Sequence, residues 1–289
     1  SWNINEDFKP GYREGIKNVL KDFIFHFNEK GWSDVLVFYF FNNKYYFRNP
    51  DMNPGTYTKA TSWWLLDEPF YYDDWRALKF FGSILKEAKE ECGGAGSNFK
   101  FRIDVSWPTQ FHHLDGDVLD INVTSSKNGL KNVSWYKKRS ILEKENFWMY
   151  GSFNSPTVPD TNTYASIMQF YAEGGEGFVP WSAFGSDDSY DEPDDCAAVY
   201  PGLRFGIKGP VPSLRLKAVR RLMQDIQYST QASSRFGGGR FGEKKMIEKL
   251  LTLKSEAEMQ DSLDAGRFFS DMSPEEPWIF RESLRELLF

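Results

Sequence analysis

Cysteine is scarce in this chain, at two of 289 residues. So small a count does not decide the redox compartment: Cys92 and Cys196 read either as a pair or as two buried thiols. Long hydrophobic runs are also missing. None approaches the roughly 20 residues of a membrane span, and no signal peptide stands out. Positive charge is not in excess either. A formal charge of −6 and a pI near 5.3 argue against nucleic-acid binding, which calls for a basic face. No Gly-x-Ser-x-Gly elbow, Walker loop or Cys-x-x-Cys pair occurs, so those reaction classes are disfavoured. His112-His113 lacks further ligands at zinc spacing and reads as a surface loop. No metal and no cofactor are expected.

What is present is a globular composition, with 40% hydrophobic and 26% charged residues. The length allows one large α/β domain or two smaller ones. Aromatic residues make up 17%, ten of them Trp. Most of these rings must be core, and the remainder are free to serve as platforms for ligand faces. The opening Ser1-Trp2-Asn3 reads as the interior of a longer protein.

The chain is organised around Ser62-Trp63-Trp64-Leu65-Leu66-Asp67-Glu68-Pro69. An apolar, strand-like run meets two adjacent carboxylates, and a proline closes it. Unpartnered burial of a carboxylate is costly, so the acids are expected where the strand opens into a cleft. Neighbouring strand residues point to opposite faces, so both acids reach one cleft only if the pleat breaks. Pro69 supplies such a break. A bare acidic strand end leading into a turn is the plainer alternative.

Ahead of this run, the periodicity of Ile16, Val19, Leu20, Phe23 and Phe27 predicts a helix over 10–31. Parallel strands are expected at 34–41, 62–66, 99–105, 117–123, 146–151 and 177–182, separated by helices. Between the first two strands lies a loop rich in Tyr, Asn, Pro and Gly, of a length that is often functional. The β-then-α alternation predicts an α/β fold. A doubly wound sheet alternates in the same way, but no Gly-rich phosphate loop follows an early strand. The expected fold is therefore a (β/α)₈ TIM-like barrel whose first units lie upstream of Ser1 or on another chain, followed by a C-terminal helical extension. The barrel portion is placed at 1–235, a Gly-rich linker at 236–242 and the helical segment at 243–289.

Several segments together resemble the family 123 glycoside hydrolases. They are Asn28-Glu29-Lys30-Gly31-Trp32, the Trp-Leu-Leu-Asp-Glu-Pro run, Tyr200-Pro201-Gly202, and Pro212-Ser213-Leu214-Arg215-Leu216-Lys217 with Arg220-Arg221 and Gln224-Asp225. They occur in that order over roughly residues 10–230. Characterised members of that family are β-N-acetylgalactosaminidases with a (β/α)₈ catalytic domain. The resemblance implies a substrate-assisted retaining mechanism. Glu68 would be the acid/base, and Asp67 would orient the acetamido group that attacks the anomeric carbon. The partner it implies is a glycan or glycoconjugate, and the location that goes with it is extracellular, or the secretory pathway or periplasm.

Further substrate-binding candidates sit at or near strand ends, where barrel chemistry collects. They are Asn42, Asn43, Trp64, Asp104, Trp107, Tyr150, Asn154 and Trp181. Structural ion pairs are the alternative for Asp104 and for Asp120, and core packing is the alternative for the rings. Asn122-Val123-Thr124 and Asn132-Val133-Ser134 fit the glycosylation pattern. The acidic loop from Asp187 to Asp195 departs from the EF-hand pattern and reads as solvated. The competing function is an inactive glycan-binding or structural protein on the same barrel.

Overall fold

The computed structural model describes residue 4 and residues 8–39, 64–114, 118–153, 158–192, 197–261 and 271–289. Five strands stand side by side in chain order: β1 (Val37–Tyr39), β2 (Phe99–Asp104), β3 (Ile121–Ser125), β4 (Asn146–Gly151) and β5 (Gly177–Pro180). The sheet is parallel. Val37 of β1 pairs with Phe99, and Arg102 of β2 pairs with Ile121. Parallel neighbours need crossovers, and helices supply three of the four; between β2 and β3 the described residues hold only a short 3₁₀ turn, Pro108–Phe111. After the leading helix α1 (Tyr12–Glu29), α2 (Tyr72–Glu91) lies between β1 and β2. The helices α3 (Ser126–Lys131) and α4 (Val133–Glu143) link β3 to β4, and α5 (Thr161–Ala172) links β4 to β5. The expected α/β alternation is present, and the five strands fit part of a (β/α) barrel.

Two compact units make up the chain: Ser1–Thr124 with Ser134–Trp148, and Ser125–Val133 with Met149–Phe289. In the first, β2 alternates inward and outward, so that Phe99, Phe101 and Ile103 are buried, while α2 buries Ala77, Leu78, Phe81, Ile84, Leu85 and Ala88. Each large side chain among these contributes about 1.5–3 kcal/mol by leaving water. Gly82 allows the close approach. A Cβ there would lie 2.2 Å from Val118 Cγ1 and 2.8 Å from the Phe101 ring.

The α1 helix forms where its spacing predicts, with only part of the expected stripe turned inward. Leu20 and Ile24 are buried, whereas Val19 and Phe23 are more than half exposed. Ion pairs to α2 accompany this rotation. Lys17 and Lys21 reach Glu91 at 2.8 and 2.6 Å, and Arg13 pairs with Glu87. Val19 and Phe23 instead line an apolar groove of about 650 Å³ beside β1.

The strand bounds match expectation only in β4, with β2 ending at Asp104 and β5 at Pro180. The first strand is described only as Val37–Tyr39, since 40 and 41 lie outside the described residues. The third begins at Ile121. No strand forms over 64–66, the described part of the expected 62–66 strand. There the Leu65 N–H goes to the Asp74 carboxylate at 2.9 Å rather than into a sheet ladder.

In the second unit, β6 (Val199–Pro201) and β7 (Pro210–Pro212) form an antiparallel hairpin. The helices α6 (Leu214–Arg235), α7 (Gly239–Leu250), α8 (Glu256–Asp261) and α9 (Glu276–Leu288) follow. Ser213 caps α6 by accepting the Leu216 N–H at 3.2 Å. Buried Asp225 holds Arg281 of α9 through two bonds of 2.8 and 2.6 Å and accepts the Tyr164 hydroxyl at 3.0 Å. Buried Glu243 likewise accepts the hydroxyls of Tyr171, Ser229 and Thr230. The Gly-rich run is a tight turn, with α7 starting at Gly239 inside the expected linker. Gly238 donates to the Ser233 carbonyl at 2.9 Å, and Gly237 and Gly239 take left-handed φ of 69° and 53°. Among the described residues no helix is long and apolar enough to cross a membrane.

Candidate functional site

The stretch from Trp64 to Tyr71 is built by Asp74, in the first turn of α2. Its fully buried carboxylate accepts the backbone N–H groups of Leu65, Phe70 and Tyr71 at 2.9, 3.1 and 2.8 Å. A carboxylate at a helix N-terminus also meets the positive end of the helix dipole. The chain therefore folds back on its own helix start and lifts Asp67, Glu68 and Pro69 to the carboxyl end of β2.

Glu68 takes φ +59°, in the left-handed region that side chains other than glycine rarely adopt. The following proline adds to the penalty, because it drives its predecessor toward extended backbone. Such a conformation costs on the order of 1–3 kcal/mol and persists only where the surroundings over-determine it. Those surroundings are visible. The Glu68 N–H donates to the Asp104 carbonyl at 3.0 Å, and its Oε2 accepts the Ser106 N–H at 3.4 Å. With no strand here there is no pleat to break; a left-handed residue followed by proline turns Glu68, but not Asp67, toward the cleft.

Glu68 opens onto a cleft of about 420 Å³. Pro69, Phe70 and Trp75 line it from one segment, and Trp107, Thr109, Gln110 and His112 from the other. The second segment is a 3₁₀ turn, Pro108–Phe111, stitched together by Gln110. The Gln110 N–H donates to the Trp107 carbonyl at 2.9 Å, and its side-chain oxygen accepts the Trp107 N–H at 3.0 Å. Across the cleft, Trp75 Nε1 donates to the Gln110 carbonyl at 2.6 Å. Trp107 leaves half of its surface exposed, at 51%, so a ring face is available to a ligand.

The other expected residues are placed as follows. Asp67 is buried, at 9% exposure, and does not line the cleft. Trp64 is buried and packs on Phe8 with ring centroids 5.9 Å apart, so it serves as core rather than as a platform. Asp104 is buried and forked by Arg102 through two bonds of 2.9 Å. Burial pushes its carboxyl above the usual range, Arg102 opposes the rise, and the charge of Glu68 adds to it. Asp120 accepts the Phe101 N–H at 2.8 Å and pairs with Lys89 at 3.4 Å, a structural role. Tyr150 and Trp181 belong to the second unit, where their rings lie 5.5 Å apart and Trp181 is 62% exposed. Asn42, Asn43 and Asn154 lie outside the described residues. Asn122 is 3% exposed on β3, which leaves no room for a glycan in the folded chain.

Reading the sequence alone missed Trp75, Gln110 and the organising role of Asp74. Pro108 directly after Trp107 was the available signal for the turn, since proline favours the first position of a helical turn. No model of a known protein family matches the chain, and no curated protein matches it.

Proposed function

We propose that the cleft at Glu68 is the site of a glycoside hydrolase resembling family 123, built on a (β/α)₈ barrel and acting on N-acetylhexosaminides. The observation that carries this reading is the strained backbone of Glu68, which delivers a carboxylate into a cleft walled by aromatic rings at a strand's carboxyl end. Rings match the apolar faces of sugars, and an acid held at a rare φ points to function rather than packing. In this reading Glu68 protonates the leaving oxygen and then activates water, while the substrate's acetamido group attacks the anomeric carbon under the guidance of Asp67. With the nucleophile on the substrate, a second carboxylate on an opposite strand is not required. A location outside the cytoplasm goes with the substrate.

Glu68→Gln tests it. General acid catalysis contributes about 10²–10⁴-fold, so turnover of a natural hexosaminide should fall by that factor while the fold persists. An aryl glycoside, whose leaving group needs little protonation, should lose much less. Equal turnover of variant and wild type on the natural substrate would overturn the assignment.

The burial of Asp67 favours a second reading, in which the cleft binds a glycan without cleaving it. Calorimetric binding of a hexosaminide that survives Glu68→Gln, with no turnover by either protein, would select it.

A further inference from the structure

The turn that forms one wall of the cleft is held from behind by an arginine. Arg139 lies on α4, and its guanidinium sits 4.3 Å over the ring of Phe111, the last residue of the turn. Its Nη2 donates to the Leu114 carbonyl at 3.1 Å, and the Leu114 N–H closes back on the Phe111 carbonyl at 3.0 Å. Phe111 and Leu114 are both buried, with Trp135 and Tyr136 packed beside the Phe111 ring. One guanidinium thus grips the buried side of the segment whose other side presents Trp107, Gln110 and His112 to the cleft.

Glu145 aims that guanidinium. Its Oε2 takes the Arg139 Nε–H at 2.8 Å, and its Oε1 takes Nη2. The chain spends energy to bring Glu145 inward. Lys144, just before it, adopts φ +59°, and the Ser140 hydroxyl pins the Glu145 carbonyl at 2.6 Å. Among the described residues Glu68 and Lys144 are the two non-glycine residues with left-handed φ. A buried ion pair is poor value as stabilisation alone, because apolar side chains fill such space as well or better. What the fork supplies is direction, since a planar guanidinium clamped at two atoms cannot swing.

We propose that Arg139, aimed by Glu145, is a positioning residue for the cleft, fixing the wall that carries Trp107, Gln110 and His112. The inference rests on the reading of this cleft as a glycan site, and its test separates the two. Arg139→Lys keeps the charge without the fork, and Glu145→Gln keeps the shape without the charge. Amide hydrogen exchange over residues 107–113 should speed up about tenfold in both variants, with the amides of β2 unchanged. On an aryl N-acetylhexosaminide, KM should rise about tenfold with kcat within about twofold, because ligand positioning is lost and the acid is not. The double replacement Arg139→Leu with Glu145→Leu refills the space without direction and should not restore the wild-type exchange or KM. Restoration by that pair, or unchanged exchange in the single variants, would overturn the proposal. If wild type cleaves no glycoside, the exchange measurement still decides the role of Arg139, and the hydrolase reading alone falls.

Discussion

Glu145 meets two opposed demands in a single side chain. Burial pushes its carboxyl up to about 7, with Arg139 resisting the rise and Glu143 adding to it. In the unfolded chain it ionises near 4.5, so between these values the folded chain holds the extra proton. The contribution of this group to stability is therefore fully present below pH 4.5 and lost as pH rises through about 7. The span corresponds to about 3–4 kcal/mol as an upper limit. Urea midpoints at pH 5 and pH 8 check this, and Glu145→Gln should flatten that part of the profile relative to wild type. A steeper profile in the variant would contradict it. Rising pH thus strengthens the grip on Arg139 while weakening the fold, a trade that suits a group kept for alignment.

At the scale of elements, the turn between the strand-like run and α2 depends on Asp74. Removing its carboxylate leaves three backbone N–H groups without their acceptor, at about 1–3 kcal/mol for each one that remains buried. Asp74→Ala should lower stability by at least about 2 kcal/mol, and thermal unfolding would show it. A change below about 0.5 kcal/mol would mean the turn holds without Asp74. The same turn marks how much the sequence revealed. The amphipathic helices and the alternating strands β2 and β4 were legible, because periodicity reports a single buried face. The Trp64–Leu66 run was not. Trp64 and Leu66 are buried as expected, but the Leu65 N–H bonds to the Asp74 side chain, which periodicity cannot register. The cleft was half legible. Glu68 and Trp107 declared themselves through composition and neighbouring prolines, whereas Trp75 and Gln110 enter it only through contacts between distant segments.

On the scale of the whole molecule, the two units invite separate perturbation. In the second, α9 is fastened by Arg281 to Asp225, which has no exposed surface. Breaking a buried pair from one side typically costs about 3–5 kcal/mol, because the remaining charge stays buried without its partner. Arg281→Met should therefore destabilise the second unit by that order. Exchange protection in α6 and α9 should drop, while Phe101 and Ile103 in the first unit keep theirs. Equal loss of protection in both units would show that the chain unfolds as one.

The left-handed backbone at Glu68 also bears on how this sequence can drift over generations. Glycine would occupy that position with less strain, and asparagine or aspartate would be tolerated there. Valine, isoleucine and threonine are effectively barred by their branched Cβ. Packing alone would let the site slide toward glycine in descendants. A lineage that keeps glutamate before this proline is paying for the carboxylate itself.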